Sequence, residues 1–179
     1  MVRRLLKKLM SLFRPGFGTL PMVLVVDDNP DLVDVLTRLL SRQGMVVLPA
    51  YSGRQCLERV RQYPIDVIVL DAEMPEMNGL EVCAALRQMA AACSIPIILL
   101  TGRETPEIRL EAVRLGVSEV VVKPARGQDL LTSIQTYVQV SRKAREIEGI
   151  LTHGPLSGTH QSVQGPSLVE HDLLAEKNS

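Results

Sequence analysis

Five short apolar runs, alternating with amphipathic stretches, predict a doubly wound α/β domain on a five-stranded parallel sheet. Three observations carry this. The runs at 22–26, 45–50, 65–71, 95–101 and 119–123 are mostly Val, Ile and Leu on consecutive positions, as in strands covered on both faces. The stretches between them repeat apolar residues at three- and four-residue spacing, as helices do. Residues that start or stop helices stand at the junctions. Such alternation favours parallel pairing, right-handed crossovers and helices on both faces, a (βα)5 arrangement.

The first run, "MVLVV", ends in Asp27 and Asp28. Asn29 then caps a helix that has Pro30 at its first position, Leu32, Val33, Leu36, Leu39 and Leu40 at helical spacing, and Gly44 as its stop. "MVVLPA" is the second strand, and a helix from Ser52 turns Cys56, Leu57 and Val60 inward. "IDVIVLD" ends in Asp71. After a loop, "GLEVCAALRQMA" carries Leu80, Val82, Cys83 and Leu86. "IPIILLT" is the fourth strand. Thr105 and Pro106 cap and open the helix that stops at Gly116. "EVVVK" is the fifth strand, and a last helix starts near Gly127 and runs to about Ile147.

At 179 residues and 46% apolar, the chain suits one domain with tails. Aromatics are 3%, so aliphatic residues must build the core. Net charge is zero, but residues 1–21 hold Arg3, Arg4, Lys7, Lys8 and Arg14 and no acid, leaving 15 basic against 20 acidic residues in the rest. That balance argues against direct nucleic-acid binding. Cys56, Cys83 and Cys93 include no CxxC pair and read as buried or half-buried thiols of a reducing compartment. No apolar run is long enough to span a bilayer, and Lys7 and Lys8 interrupt any signal-peptide pattern. There is no myristoylation glycine and no prenylation cysteine, so a cytoplasmic location is expected.

In open parallel sheets, ligands sit beyond the carboxyl ends of the strands, where strand order reverses. There stand Asp27 and Asp28, Asp71, Thr101 and Lys123. In the order 2-1-3-4-5, strands 1 and 3 are neighbours and the three carboxylates share one crevice. Two unit charges about 4 Å apart repel by about 4 kcal/mol at an effective dielectric near 20. A bound cation or a raised pKa must relieve this. Oxygen ligands without His or Cys favour Mg²⁺ or Mn²⁺ over zinc. A carboxylate can also act as a nucleophile toward phosphorus, with Lys123 and Thr101 placed to stabilise a phosphoryl group. Taken singly, an Asp after a strand is a cap or turn residue, and a Lys-Pro pair is a turn. The five together at strand ends are a different matter. A flavin site would need a Ser/Thr/Gly-rich loop after strand 1, where "DDNPD" would repel phosphate.

"VVDDNP", "VLDAEMPEMNGLE", "ILLTG" and "VVVKP" resemble the receiver domain of two-component response regulators over about residues 22–143. The resemblance implies a flavodoxin-like fold of order 2-1-3-4-5. It implies that Asp71 accepts phosphate from a histidine kinase or a histidine phosphotransfer protein. It implies that Asp27, Asp28, Asp71 and the main-chain carbonyl of Glu73 hold Mg²⁺, that Thr101 and Lys123 hold the phosphoryl group, and that Pro75 and Gly79 shape the loop. The chain would then be a signalling phosphoacceptor that assists its own phosphorylation and dephosphorylation, not an enzyme with a separate substrate. Three positions depart from the family pattern. Val120 stands where an aromatic switch residue is usual, Ala125 where Phe is frequent, and Glu73 adds an acid close to Asp71. A β-branched valine has few rotamers and no ring to relocate, so a switch through Thr101 and Val120 is expected to run through backbone shifts of the strand 4–helix 4 region or to be weak.

Residues 22–148 are thus expected to form the receiver, flanked by a basic N-terminal extension (1–21) and a disordered tail (149–179) rich in Gly, Pro, Ser and His. In the extension, Val2, Leu5, Leu6, Leu9, Met10 and Phe13 share a helical stripe apart from most of the basic residues. This suits peripheral contact of residues 2–13 with an anionic membrane or a partner groove. Docking on the receiver itself, or translation from Met22, are the competing readings. With no room for a DNA-binding output domain after 143, the expectation is a stand-alone receiver that alters an effector protein and dimerises through helix 4, strand 5 and helix 5. The alternatives are a phosphorelay intermediate that passes phosphate onward and a constitutive docking domain.

Overall fold

The computed structural model describes residues 20–153. The elements are β1 (Met22–Val26), α1 (Pro30–Arg42), β2 (Val46–Ala50), α2 (Gly53–Gln62), β3 (Val67–Asp71), α3 (Gly79–Arg87), β4 (Ile97–Thr101), α4 (Pro106–Arg114), β5 (Glu119–Val122) and α5 (Gly127–His153). All four strand pairs are parallel, in the order β2-β1-β3-β4-β5. The expected fold and strand order are both observed.

Alternation along the strands splits the interior in two. Val23, Val25, Val67, Val69, Ile98 and Leu100 pack with Val33, Leu36 and Leu40 of α1 and Leu130, Leu131, Ile134 and Val138 of α5. Leu24, Val26, Leu48, Ile68, Leu70, Ile97 and Leu99 pack on the other face with Cys56 and Val60 of α2, Val82, Cys83 and Leu86 of α3 and Ala112 of α4. Up to the polar ends Asp71 and Thr101, every position of β1, β3 and β4 is therefore apolar, because both faces are covered.

Local chemistry sets the helix starts. Asn29 Oδ1 accepts from the Asp31 and Leu32 N–H groups ahead of Pro30, Ser52 Oγ from Gln55 N–H, and Thr105 Oγ1 from Ile108 N–H. Asn78 and Glu81 form a reciprocal capping box. Gly44 and Gly116 have positive φ of 77° and 65°, conformations that favour glycine, just after α1 and α4.

Some expectations need correction. The third helix stops at Arg87, not Ala90, because the Arg87 side chain turns back. Its guanidinium donates to the carbonyls of Ala92, Cys93, Ile95, Leu115 and Gly116, tying the end of α3 to the segments that lead into β4 and β5. Cys93 is exposed, whereas Cys56 and Cys83 are buried; all three are free. The last helix continues past its expected end near Ile147 to His153, and Ile147 is exposed. The expected amphipathic segment 2–13 and the tail beyond 153 lie outside the described residues. No helix among the described residues is long and apolar enough to cross a membrane.

At the amino end of the sheet, Asp66 is 3% exposed just before β3. Its Oδ2 accepts the Met22 N–H at 2.7 Å. Its Oδ1 meets Arg145 in a close ion pair and Arg142 Nε at 3.5 Å. The first residue of β1, the approach to β3 and the middle of α5 are thereby joined.

Candidate functional site

The site lies at the opposite end of the same strands. β1 and β3 run side by side with Val26 beside Leu70, so Asp27 emerges next to Asp71. The carboxylates of Asp27, Asp28 and Asp71 each offer an oxygen within 4.8 Å of the others. Asp27 and Asp71 are buried, and Asp28 is exposed. Lys123, arriving from the end of β5, reaches across β4. Its Nζ sits 3.0 Å from Asp27 Oδ2 and 2.9 Å from Asp71 Oδ1.

The buried carboxylates are also held by the backbone. Asp27 Oδ1 accepts the Asn29 N–H at 2.9 Å, and Asp71 Oδ1 accepts the Glu73 N–H at 3.2 Å. Burial raises the Asp71 pKa, and the negative charge of Asp27 adds to this, against the lowering effect of Lys123 and the Glu73 N–H. For Lys123, burial favours the neutral amine, but the hydrogen bonds and charges of Asp71 and Asp27 prevail and raise its pKa. One lysine thus faces three carboxylates, and the crevice keeps an excess of negative charge. A hard divalent cation fits such a donor set: all side-chain donors are oxygens, and one of the three carboxylates is open to solvent.

The loop after β3 folds back tightly. Gly79 N–H donates to Ala72 O at 3.0 Å. A Cβ on Gly79 would lie 2.4 Å from the Asp71 carbonyl oxygen and 2.7 Å from Ala72 Cα, so only glycine fits without moving the Asp71 backbone. Met74 is buried in the core, and Glu76 takes a positive φ of 63° at the loop's exposed tip.

Thr101 ends β4, fully buried, but its hydroxyl is turned to the following loop. Oγ1 donates to Arg103 O at 2.7 Å and accepts Arg103 N–H at 3.2 Å. Val120 lies beside Leu99 in the sheet and packs on the α2–α4 side of the core. The structure therefore brings together Asp27, Asp28, Asp71 and Lys123, with Thr101 one strand away and bonded elsewhere.

Sequence reasoning left the Glu73 side chain open. Its Oε2 accepts the Gly102 N–H at 3.2 Å, bridging the loops after β3 and β4. An acid two residues after one strand end, facing a glycine just after another, was the available signal. Arg87 and Asp66 were missed outright. For Asp66 the clue was a carboxylate at the head of an apolar run, matched by Arg142 and Arg145 three apart on the last helix.

Comparison with known proteins agrees with this fold. The family model for the response regulator receiver domain matches residues 23–135. The hybrid signal transduction histidine kinase D of Dictyostelium discoideum is 35% identical over 126 residues, covering 70% of this chain and 8% of that protein. The transcriptional regulatory protein KdpE of Mycobacterium tuberculosis is 31% identical over 127 residues, covering 71% of this chain and 55% of that one. The chain therefore spans only part of the length of these relatives. A solved chemotaxis response regulator of Vibrio cholerae superposes with a TM-score of 0.63 at 32% identity, covering 66% of this chain and 99% of that one. The chain belongs to the response regulator receiver domain family.

Proposed function

We propose that the chain is a phosphorylation-gated receiver in which Asp71 takes a phosphoryl group from a phosphohistidine on a histidine kinase or phosphotransfer protein. The observation that carries this reading is the cluster of three carboxylates crossed by one lysine at the carboxyl end of the sheet. Asp27, Asp28, Asp71 and the Glu73 main-chain carbonyl would hold Mg²⁺ or Mn²⁺, which when bound offsets carboxylate and phosphoryl charge.

The chain's own residues do the rest. Lys123 and the Glu73 N–H both bond Asp71 Oδ1. Oδ2 has no hydrogen-bond partner among the described residues, so it is the oxygen that attacks phosphorus. The new O–P bond forms as the donor's N–P bond breaks, and the electron pair returns to the imidazole nitrogen. Lys123 Nζ remains beside Asp71 to offset charge on the transferred group.

Gating follows from what Thr101 and Gly102 now bond. A phosphoryl group on Asp71 offers acceptors that compete for the Thr101 hydroxyl, at present given to Arg103 O. Its negative charge also opposes the Glu73 carboxylate, which holds the Gly102 N–H. The loop after β4 is thus drawn to a new position. With valine at 120 the shift passes through the backbone of β4 and β5 to an effector-binding surface. The test is nuclear magnetic resonance of the Gly102 amide on adding beryllofluoride with Mg²⁺. A large shift in wild type and none in Asp71→Asn is expected. An unmoved Gly102 in wild type, with beryllofluoride demonstrably bound, overturns the gate.

A further inference from the structure

The last helix has two faces with different fates. In its first half, Leu130, Leu131, Ile134 and Val138 are buried against the sheet. In its second half, Arg142 and Arg145 reach Asp66, and buried Ser141 bonds Arg145 at 3.2 Å. These contacts fix the rotation of the helix about its axis. At about 100° per residue, the side roughly 140° away carries Val140, Ala144, Ile147 and Leu151. All four are exposed. Val140 is 56%, Ile147 50% and Leu151 78% accessible.

The spacing of these four residues is four, three, four. That is the repeat of a coiled-coil seam, with Val140 and Ile147 at d and Ala144 and Leu151 at a. The flanks agree with a particular partner. In this register Lys143 occupies g and Glu148 occupies e. In a parallel assembly, g faces the next e of the neighbouring helix, so Lys143 of one copy meets Glu148 of another. An antiparallel arrangement would set g against g and e against e, like charge against like.

We propose that the distal half of α5 is a self-association surface, packing in parallel against the same helix of further copies of this chain. It differs from the helix 4–strand 5–helix 5 face expected from the sequence, and it does not depend on the phosphate chemistry. A seam of about two heptads is marginal for free helices in water. Here Asp66 already holds the helix in place, so association need not order it. Leu at a with Ile at d admits more than two strands, so the stoichiometry is read by experiment.

Sedimentation equilibrium of the full 179-residue chain over a wide concentration range is the test. Reversible self-association is expected. Ile147→Asp should raise the dissociation constant about a hundredfold. Lys143→Glu and Glu148→Lys should each raise it about tenfold, and the double variant should return it close to wild type. Circular dichroism confirms folding of each variant; Ile147 is half exposed, so its replacement leaves the core intact. A chain that stays monomeric, an assembly indifferent to Ile147→Asp, or a charge swap that fails to rescue would each overturn the proposal.

Discussion

Asp66 and Asp71 bracket β3, five residues apart and almost equally buried, at 3% and 4% exposure. Their surroundings differ. Asp66 has two arginines and a backbone N–H for one carboxylate. Asp71 shares one lysine with Asp27, and Asp28 stands alongside. At the amino end of the strand a buried charge is over-compensated, and the result is an anchor for α5. At the carboxyl end it is under-compensated, and the result is a group whose burial and the Asp27 charge keep its pKa raised against the opposing Lys123 and Glu73 N–H. The anchoring role of Asp66 and the reactivity proposed for Asp71 thus rest on the balance of charge around each at similar burial.

Breaking the anchor should have the largest effect on stability. Removing one member of a buried ion pair costs about 3–5 kcal/mol, but the arginines here are partly exposed and regain water. Asp66→Ala should therefore destabilise the chain by about 2–3 kcal/mol in denaturant melts. Asp71→Asn should leave stability unchanged or raise it by about 1 kcal/mol, because it relieves repulsion. Equal losses at the two ends would break the comparison.

Mg²⁺ sharpens it at intermediate size. At ten times the dissociation constant, a ligand that binds only the folded state stabilises it by about 1.4 kcal/mol. Added Mg²⁺ should raise the melting temperature of wild type and of Asp66→Asn, and Asp28→Asn should lose most of that gain. A gain of equal size in Asp28→Asn would place the cation elsewhere.

The smallest effect concerns the apolar layer between the two ends. Burial pushes the thiols of Cys56 and Cys83 up to about 12; as lesser influences, the Cys83 charge adds to the rise for Cys56 and the Arg87 charge opposes it for Cys83. Since the thiolate is the nucleophile, both should be almost inert at pH 8, and their labelling should rise only as pH climbs toward 12. Cys93 is exposed. A thiol reagent should count one fast group in the native chain and three in denaturant. Three fast groups in the native chain would show that the layer opens readily.

The fold was legible because its signals are local. Consecutive aliphatic residues named the strands, and Asn29–Pro30, Ser52 and Thr105–Pro106 named the helix starts. The acidic trio was legible because strand ends are also sequence landmarks. What stayed hidden depends on distant partners. Asp66 meets Arg145, 79 residues along the chain, and Arg87 bonds Gly116, 29 residues on. The Thr101 hydroxyl was placed correctly along the chain, yet its present bond to Arg103 depends on a loop conformation that spacing does not report. The exposure of Ile147 was hidden too, because helical periodicity continues past the sheet's edge, where no layer remains to cover it.

The most direct measurement compares the two aspartates in one reaction. Wild type, Asp66→Asn and Asp71→Asn are incubated with Mg²⁺ and a small acyl phosphate donor, and the acid-labile phosphate is mapped by peptide mass spectrometry. Label on Asp71 in wild type and in Asp66→Asn, and none in Asp71→Asn, is the predicted result. Label that persists in Asp71→Asn, or its absence from wild type, would contradict the assignment of Asp71 as the reactive carboxylate.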